Sequence, residues 1–240
     1  MVWFATGLGA FAAGLLQTVT GFGAATVLML VLPHFFSMTE APALSSVICM
    51  ILAISLALRF REHFRLRLIL PPSIIYAAAS ILAIRSSARL ELEALSLAFG
   101  AFLVLLSLYG VFLSTRLTLR GGPVSMVACS ILSGVCAGLF SIGGPTMAVY
   151  YLAAARDQRE YLANLQCLFA ITYAVGIPAR VASGAFSIQM VPLALLGGAG
   201  ILLGKQVGLV CARHLSAKRL QLLIYGYVGL TGVVTIVGQI

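Results

Sequence analysis

Residues 17–26 read QTVTGFGAAT, two glycines and three threonines inside an N-terminal stretch that is otherwise largely apolar. Glycines so placed interrupt a helix, because glycine loses the most backbone freedom on ordering and readily adopts left-handed conformations. In lipid, a break exposes amide groups where no water can reach them. Irregular backbone at membrane depth therefore persists only where protein satisfies it or a cavity is lined by it. A second stretch of the same character, GLFSIGGPTM, stands at residues 138–147. How these two breaks are read decides the fold.

Composition identifies the solvent. The chain is 61% hydrophobic and 9% charged, with a mean hydropathy of +1.09. A soluble domain carries about a quarter of its residues charged. Runs such as SIIYAAASILAI (73–84) and LALLGGAGILLG (193–204) suit spans of about 20 residues across about 30 Å of hydrocarbon. The expectation is an all-α polytopic membrane protein with the lipid bilayer as its surroundings. A net charge of +9 does not point to nucleic acid, since the basic residues are scattered in short loops and no aromatic stacking platform accompanies them. The start MVWFATGLGAF has no basic residue ahead of its apolar run, so the first span is expected to be retained. Cys49, Cys129, Cys136, Cys167 and Cys211 form no CxxC, and His34, His63 and His214 have no ligand-spaced partners. Neither a metal site nor a cofactor is implied.

The two breaks belong to a repeat. At an offset of 120 residues Gly14 falls on Gly134, Gly23 on Gly143, Thr26 on Thr146, Glu40 on Glu160 and Pro72 on Pro192. This predicts two homologous halves, 1–120 and 121–240, forming one integrated membrane domain and joined through TRLTLRGGP (115–123). Punctuation places helices near 3–18, 24–36, 40–60, 68–86 and 92–115, then 124–139, 145–156, 159–181, 188–211 and 217–238. The first two of each half are short. They are two half-helices that dip in and return, two full crossings, or one broken crossing, and each pair is followed by three transmembrane helices.

Charge distinguishes these arrangements. If each pair returns or crosses twice, Arg59, Arg61, Arg65, Arg67, Arg116, Arg120, Arg156, Arg159, Lys205, Arg213, Lys218 and Arg219 share one side. Only Arg85, Arg89 and Arg180 of the 15 basic residues then lie on the other. The positive-inside bias favours that arrangement, with inverted halves and both termini on the outer side. Inverted repeats with broken helices are a transporter pattern that places the site near the midplane.

In that setting a helix starting after the glycines aims its amides and positive dipole end at the break, which suits an anion. Candidate binding residues are Gln17, Thr18, Thr20, Gly21, Phe22, Gly23 and Thr26 at the first break, and Ser141, Gly143, Gly144, Pro145 and Thr146 at the second. Ser45, Ser46, Asn164 and Gln166 follow within the third helix of each half. The alternative is that these small and hydroxyl residues only pack helices together. Arg85, Arg180 and Lys205 are candidates for attracting an anion, the competing reading being that they reach to the membrane interface. Glu40 and Glu160 start helices, where a carboxylate suits the dipole.

The stretches GLLQTVTGFGAATVLMLVLP and EAPALSS, with SGVCAGLFSIGGPTMAVYYL and EYLANLQ, resemble the sulfite exporter TauE/SafE family of membrane transporters. So does GGAGILLGKQVG before the last helix. The likeness runs through essentially the whole chain, although Gly21, Phe22, Gly23, Ala24 and Ala25 depart from the family's glycine-richer first copy. It implies transport of sulfite, thiosulfate or a small organosulfonate across a bacterial inner membrane. A proton or sodium ion is the candidate coupling ion, as no ATP-binding loop is present. The other classes are a transporter of a different small anion, a non-transporting assembly subunit, a cation carrier and an intramembrane serine protease built on Ser141. A cation carrier usually wants an acid within the membrane, and the six acids here lie near helix ends or in loops. The protease lacks a deep base other than Lys205.

Overall fold

The structure, a computed structural model, describes residues 1–87, 90–109 and 121–211, with residues 229, 232, 233, 236 and 237. Among these the elements are α1 (Val2–Thr20), α2 (Ala24–Val31), α3 (Glu40–Arg59), α4 (Leu66–Ser87) and α5 (Leu92–Leu108). They are followed by α6 (Pro123–Phe140), α7 (Gly144–Ala154), α8 (Gln158–Ala182) and α9 (Val191–Cys211), and no strand occurs among the described residues. Helices α1, α3, α4, α6 and α8, and the segment Ile188–Val210 that includes α9, are long and apolar enough to cross a membrane. Phe4, Leu58, Ile74, Leu82, Leu132 and Leu203 face outward, an apolar surface that lipid solvates and water would not. The protein is an all-α, multi-pass membrane protein.

Helix ends fall within a few residues of those expected from the sequence, with one informative exception. The second helix stops at Val31 and not near 36, giving way to a 3-10 turn over Leu32–His34. Pro33 has no amide hydrogen to donate back to the preceding turn. The end of the fifth expected helix, most of the last helix (217–238) and most of the link at 115–123 lie outside the described residues.

The chain reverses at both breaks. Helix α2 lies back along α1, so that a Cβ on Gly9 would sit 3.3 Å from Val31. Helix α7 lies back along α6, with Ser130 donating to Met147 Sδ at 3.9 Å and Ser133 bonded to Thr146. With eight residues in α2 and 11 in α7, the return arms rise about 12 and 16 Å, too little to cross. Each break is thus the tip of a helical hairpin with a short return arm. This excludes two full crossings and excludes a single crossing that continues beyond the break.

The tips meet. A Cβ on Gly144 would lie 3.0 Å from that of Phe22 and 3.6 Å from the ring of Phe169. Phe169 is midway along α8, and Tyr76, whose hydroxyl abuts Gly143, is midway along α4. The second tip therefore lies beside the middle of α4 and α8, while the first is fastened nearer the start of α8, where Tyr161 donates to the Thr20 carbonyl. Around them α1 packs on α9 and α6 on α4, α3 packs on α9 and α8 on α4, and α3 meets α8. The first two contacts are backbone to backbone: Gly14 faces the Ile201 carbonyl, and Gly134 faces that of Tyr76. Such close approach is how small residues join helices where lipid offers no hydrophobic contrast.

The loops gather by charge. The α3–α4 loop meets the start of α8 through Arg65 Nη1 and Glu160 Oε1 at 2.8 Å. Arg59, Arg61, Arg65, Arg67, Arg156 and Arg159 are thereby placed at one end, with Lys205 pointing its Nζ to Ser55 one turn inside it. Arg85 and Arg180 lie toward the other end. Glu40 closes a reciprocal cap with Ser37, accepting from its amide at 3.1 Å while Ser37 Oγ accepts from Glu40 N at 3.3 Å. On α8 the cap comes from Asp157, which accepts from Glu160 N at 2.8 Å, leaving Glu160 for Arg65.

Candidate functional site

The first tip turns on two left-handed glycines, Gly21 at φ 89° and Gly23 at φ 101°, on either side of Phe22. A chain of amides fastens it to α8. Gln17 Nε2 donates to Gln166 Oε1 at 2.8 Å, Gln166 Nε2 donates to the Gly21 carbonyl at 2.6 Å, and Gln17 Oε1 accepts from Ala24 N at 3.2 Å. Tyr161 adds a bond from its hydroxyl to the Thr20 carbonyl at 3.1 Å. Both glutamines are buried. The amide at the start of α2, expected to point unpaired into the break, is therefore occupied by Gln17. Buried polar groups are strongly driven to such closure.

The threonines of this tip bond locally. Thr18 donates to Gly14 O at 2.7 Å and packs toward Gly208 of α9, and the single Thr20 hydroxyl hydrogen lies within reach of the carbonyls of both Leu16 and Phe22. Thr26 is buried on α2. Asn164 lies nearer the loop end of α8, where its Oδ1 accepts from Arg65 N at 2.9 Å. Its Nδ2 has no partner among the described residues.

The second tip is built differently. Here the left-handed residue is Ser141 at φ 62°, which the 120-residue offset places on Gly21, while Gly143 has an ordinary φ of −111°. Gly143 is required for space, since a Cβ there would press on the Tyr76 hydroxyl and lie 2.7 Å from the Ser133 carbonyl. Pro145 stands in the first turn of α7, where its missing amide hydrogen costs nothing. Ser141 Oγ and Ser46 Oγ are 3.0 Å apart, joining this tip to α3. Phe140 stacks on Phe102 and tilts against Phe99, so α5 covers the tip from outside.

Arg180 lies beside this second tip. It is 4% exposed, and its Nη2 donates to the carbonyls of Ala137 and Gly138 at 2.8 Å each. Those carbonyls end α6, where the helix dipole is negative. No carboxylate pairs with Arg180; the one ion pair among the described residues is Arg65–Glu160. Arg180 and Ile84 stand in the shared wall of two cavities. The outer one, about 200 Å³, is also lined by Thr39, Ser87 and Ser183. The inner one, about 10 Å³, is lined by Ser46, Tyr76, Ser80, Thr172 and Tyr173. The other two cations proposed from sequence lie elsewhere. Arg85 is exposed on the last turn of α4, and Lys205 is bound to Ser55 at 2.6 Å.

Of the residues expected from sequence, the structure brings together Gln17, Gly21 and Gln166, then Phe22 with Gly144, then Ser46 with Ser141. It turns Thr18 toward α9 and keeps Asn164, Arg85 and Lys205 apart from the tips. Sequence reasoning missed Tyr76, Ser80, Thr172 and Tyr173. A signal existed: Tyr76 and Ser80 on α4, and Thr172, Gly176 and Arg180 on α8, recur at a four-residue spacing that stacks them on one helix face.

No curated protein and no solved structure matches the chain. A family model does match, over residues 6–235, a range that holds both hairpins, their tips and the Arg180 pocket. The chain belongs to the sulfite exporter TauE/SafE family.

Proposed function

We propose that the protein is a secondary transporter for a small sulfur-containing anion of the sulfite, thiosulfate or organosulfonate type. The observation that carries this reading is the meeting of two hairpin tips inside the bundle, Phe22 against Gly144, in a chain of this family. Non-helical backbone at that depth suits a substrate site and has no use in a scaffold. Residues 1–120 and 121–240 act as two inverted repeats that rock against each other. This is supported by the symmetry of the main packing, in which α1 on α9 matches α6 on α4 and α3 on α9 matches α8 on α4. With the basic loops on the cytoplasmic side of a bacterial inner membrane, both termini face outward. A proton or sodium gradient, or the gradient of the anion itself, drives the cycle.

Uptake of labelled sulfite and thiosulfate into proteoliposomes tests the reading, with Gly144→Val as control. The valine would wedge between Phe22 and Phe169, and uptake should fall at least tenfold with the protein still folded in the bilayer. Uptake of neither anion by the folded wild type would remove the sulfur-anion assignment, leaving other small anions to be tried.

A further inference from the structure

We infer that the pocket at Arg180 holds the transported anion, as a small oxyanion gripped by the guanidinium and by the hydroxyls of α4 and α8. The inference rests on the transport reading above and gives that site its ligand-binding residues.

A buried cation is costly unless its charge and its donors are both met. At Arg180 only half of this is done. Guanidinium has five N–H donors, and the two on Nη2 are engaged by the end of α6. The remaining three have no partner among the described residues, and no carboxylate balances the charge. Although only 4% exposed, the side chain borders two cavities, and the outer has room for a small anion. The planar fork of arginine suits the paired oxygens of an oxyanion. Thr39, Ser87 and Ser183 line the outer cavity where the anion rests, and Tyr76 and Ser80 line the inner void it passes into; these neutral hydroxyls accommodate an anion without adding charge of their own.

The pocket is also mechanically connected to the break. Ser46 lines the inner cavity and bonds Ser141, Tyr76 lines it and abuts Gly143, and Arg180 itself grips the last turn before the tip. The inner void, at about 10 Å³, holds no more than one water. An anion therefore rests against Arg180 from the outer cavity until the second hairpin moves. A shift of that tip opens the inner void and passes the anion inward.

The test is calorimetric titration of the full chain in detergent with sulfite, thiosulfate, sulfate and phosphate, comparing wild type, Arg180→Gln and Ser80→Asp. Loss of a charge-assisted pair should weaken binding about 10- to 100-fold in Arg180→Gln. Ser80→Asp guards against a folding artefact, because it keeps Arg180 and supplies the missing counter-charge; it too should lose anion binding, with no drop in melting temperature. Sulfur anions binding equally well to the wild type and both folded variants would overturn the site while leaving the transport reading intact. Binding of phosphate alone, lost in both variants, would uphold the site and remove the sulfur assignment. Failure of the folded wild type to bind any of the four would overturn the inference.

Discussion

Ser141 and Gly21 stand 120 residues apart and share a left-handed backbone, but they reach it differently. Glycine adopts it freely, whereas serine carries a cost of about 1–2 kcal/mol. Ser141 offsets this through its bond to Ser46. Ser141→Ala keeps the strain and loses the bond, and should lower stability in detergent by about 1–3 kcal/mol, read by thermal unfolding. Gly21→Ala should cost more than the backbone term, because the new Cβ would lie 2.7 Å from Tyr161. At Gly143 the backbone is ordinary, so its substitution acts through collision alone. Sequence comparison aligned Gly23 with Gly143 and suggested a common role. The two differ because φ follows from the tip's packing on α4 or α8, which lies far away in the chain.

At the scale of elements, the hairpins and their partners were legible where a local signal existed. Glycine, proline and hydropathy placed the breaks and most helix ends, and the S-x-x-E cap at Ser37 and Glu40 follows from its spacing. The return of α2 along α1 was left open, since direction after a break is set by tertiary contact. Where α1 crosses α9, Gly204 faces the carbonyl of Phe11 as Gly14 faces that of Ile201. Gly204→Val should force the helices apart and reduce folded protein in the membrane, seen as a lost monodisperse peak after extraction. The start of α8 offers a milder test. Asp157 is held below its ordinary value of 3.8, first by the Glu160 amide it accepts. Its capping contribution is complete above 3.8 and fades as pH falls through the lower folded value. Asp157→Ala should therefore lower the melting temperature at neutral pH, Asp157→Asn much less, and the difference between wild type and Asp157→Ala should shrink in strong acid.

Across the whole molecule, composition was enough to choose lipid over water, and the offset repeat was enough to suggest two halves. The site was only partly visible. Gln17 and Gln166 stood out as polar residues in apolar helices, yet nothing local indicated that they bond each other across 149 residues of sequence. Arg180, two residues before the end of α8, read equally well as an interfacial arginine. Its burial depends on the end of α6 arriving beside it. The charge separation of the loops predicts that a reporter fused after Ile240 is active only on the outer side; activity on the cytoplasmic side would overturn the proposed orientation.

The central claim is that the two tips move against each other to carry an anion. The Cβ of Phe22 and one built on Gly144 would be 3.0 Å apart, about half an ångström inside the usual span of a disulfide, so cysteines at the two positions can be joined once the tips ease apart slightly. Counterflow of labelled sulfite in proteoliposomes containing the Phe22→Cys/Gly144→Cys protein tests the claim directly. Transport should proceed in the reduced protein, stop on oxidation and return when the disulfide is reduced again. Equal counterflow with the tips joined and free would contradict it.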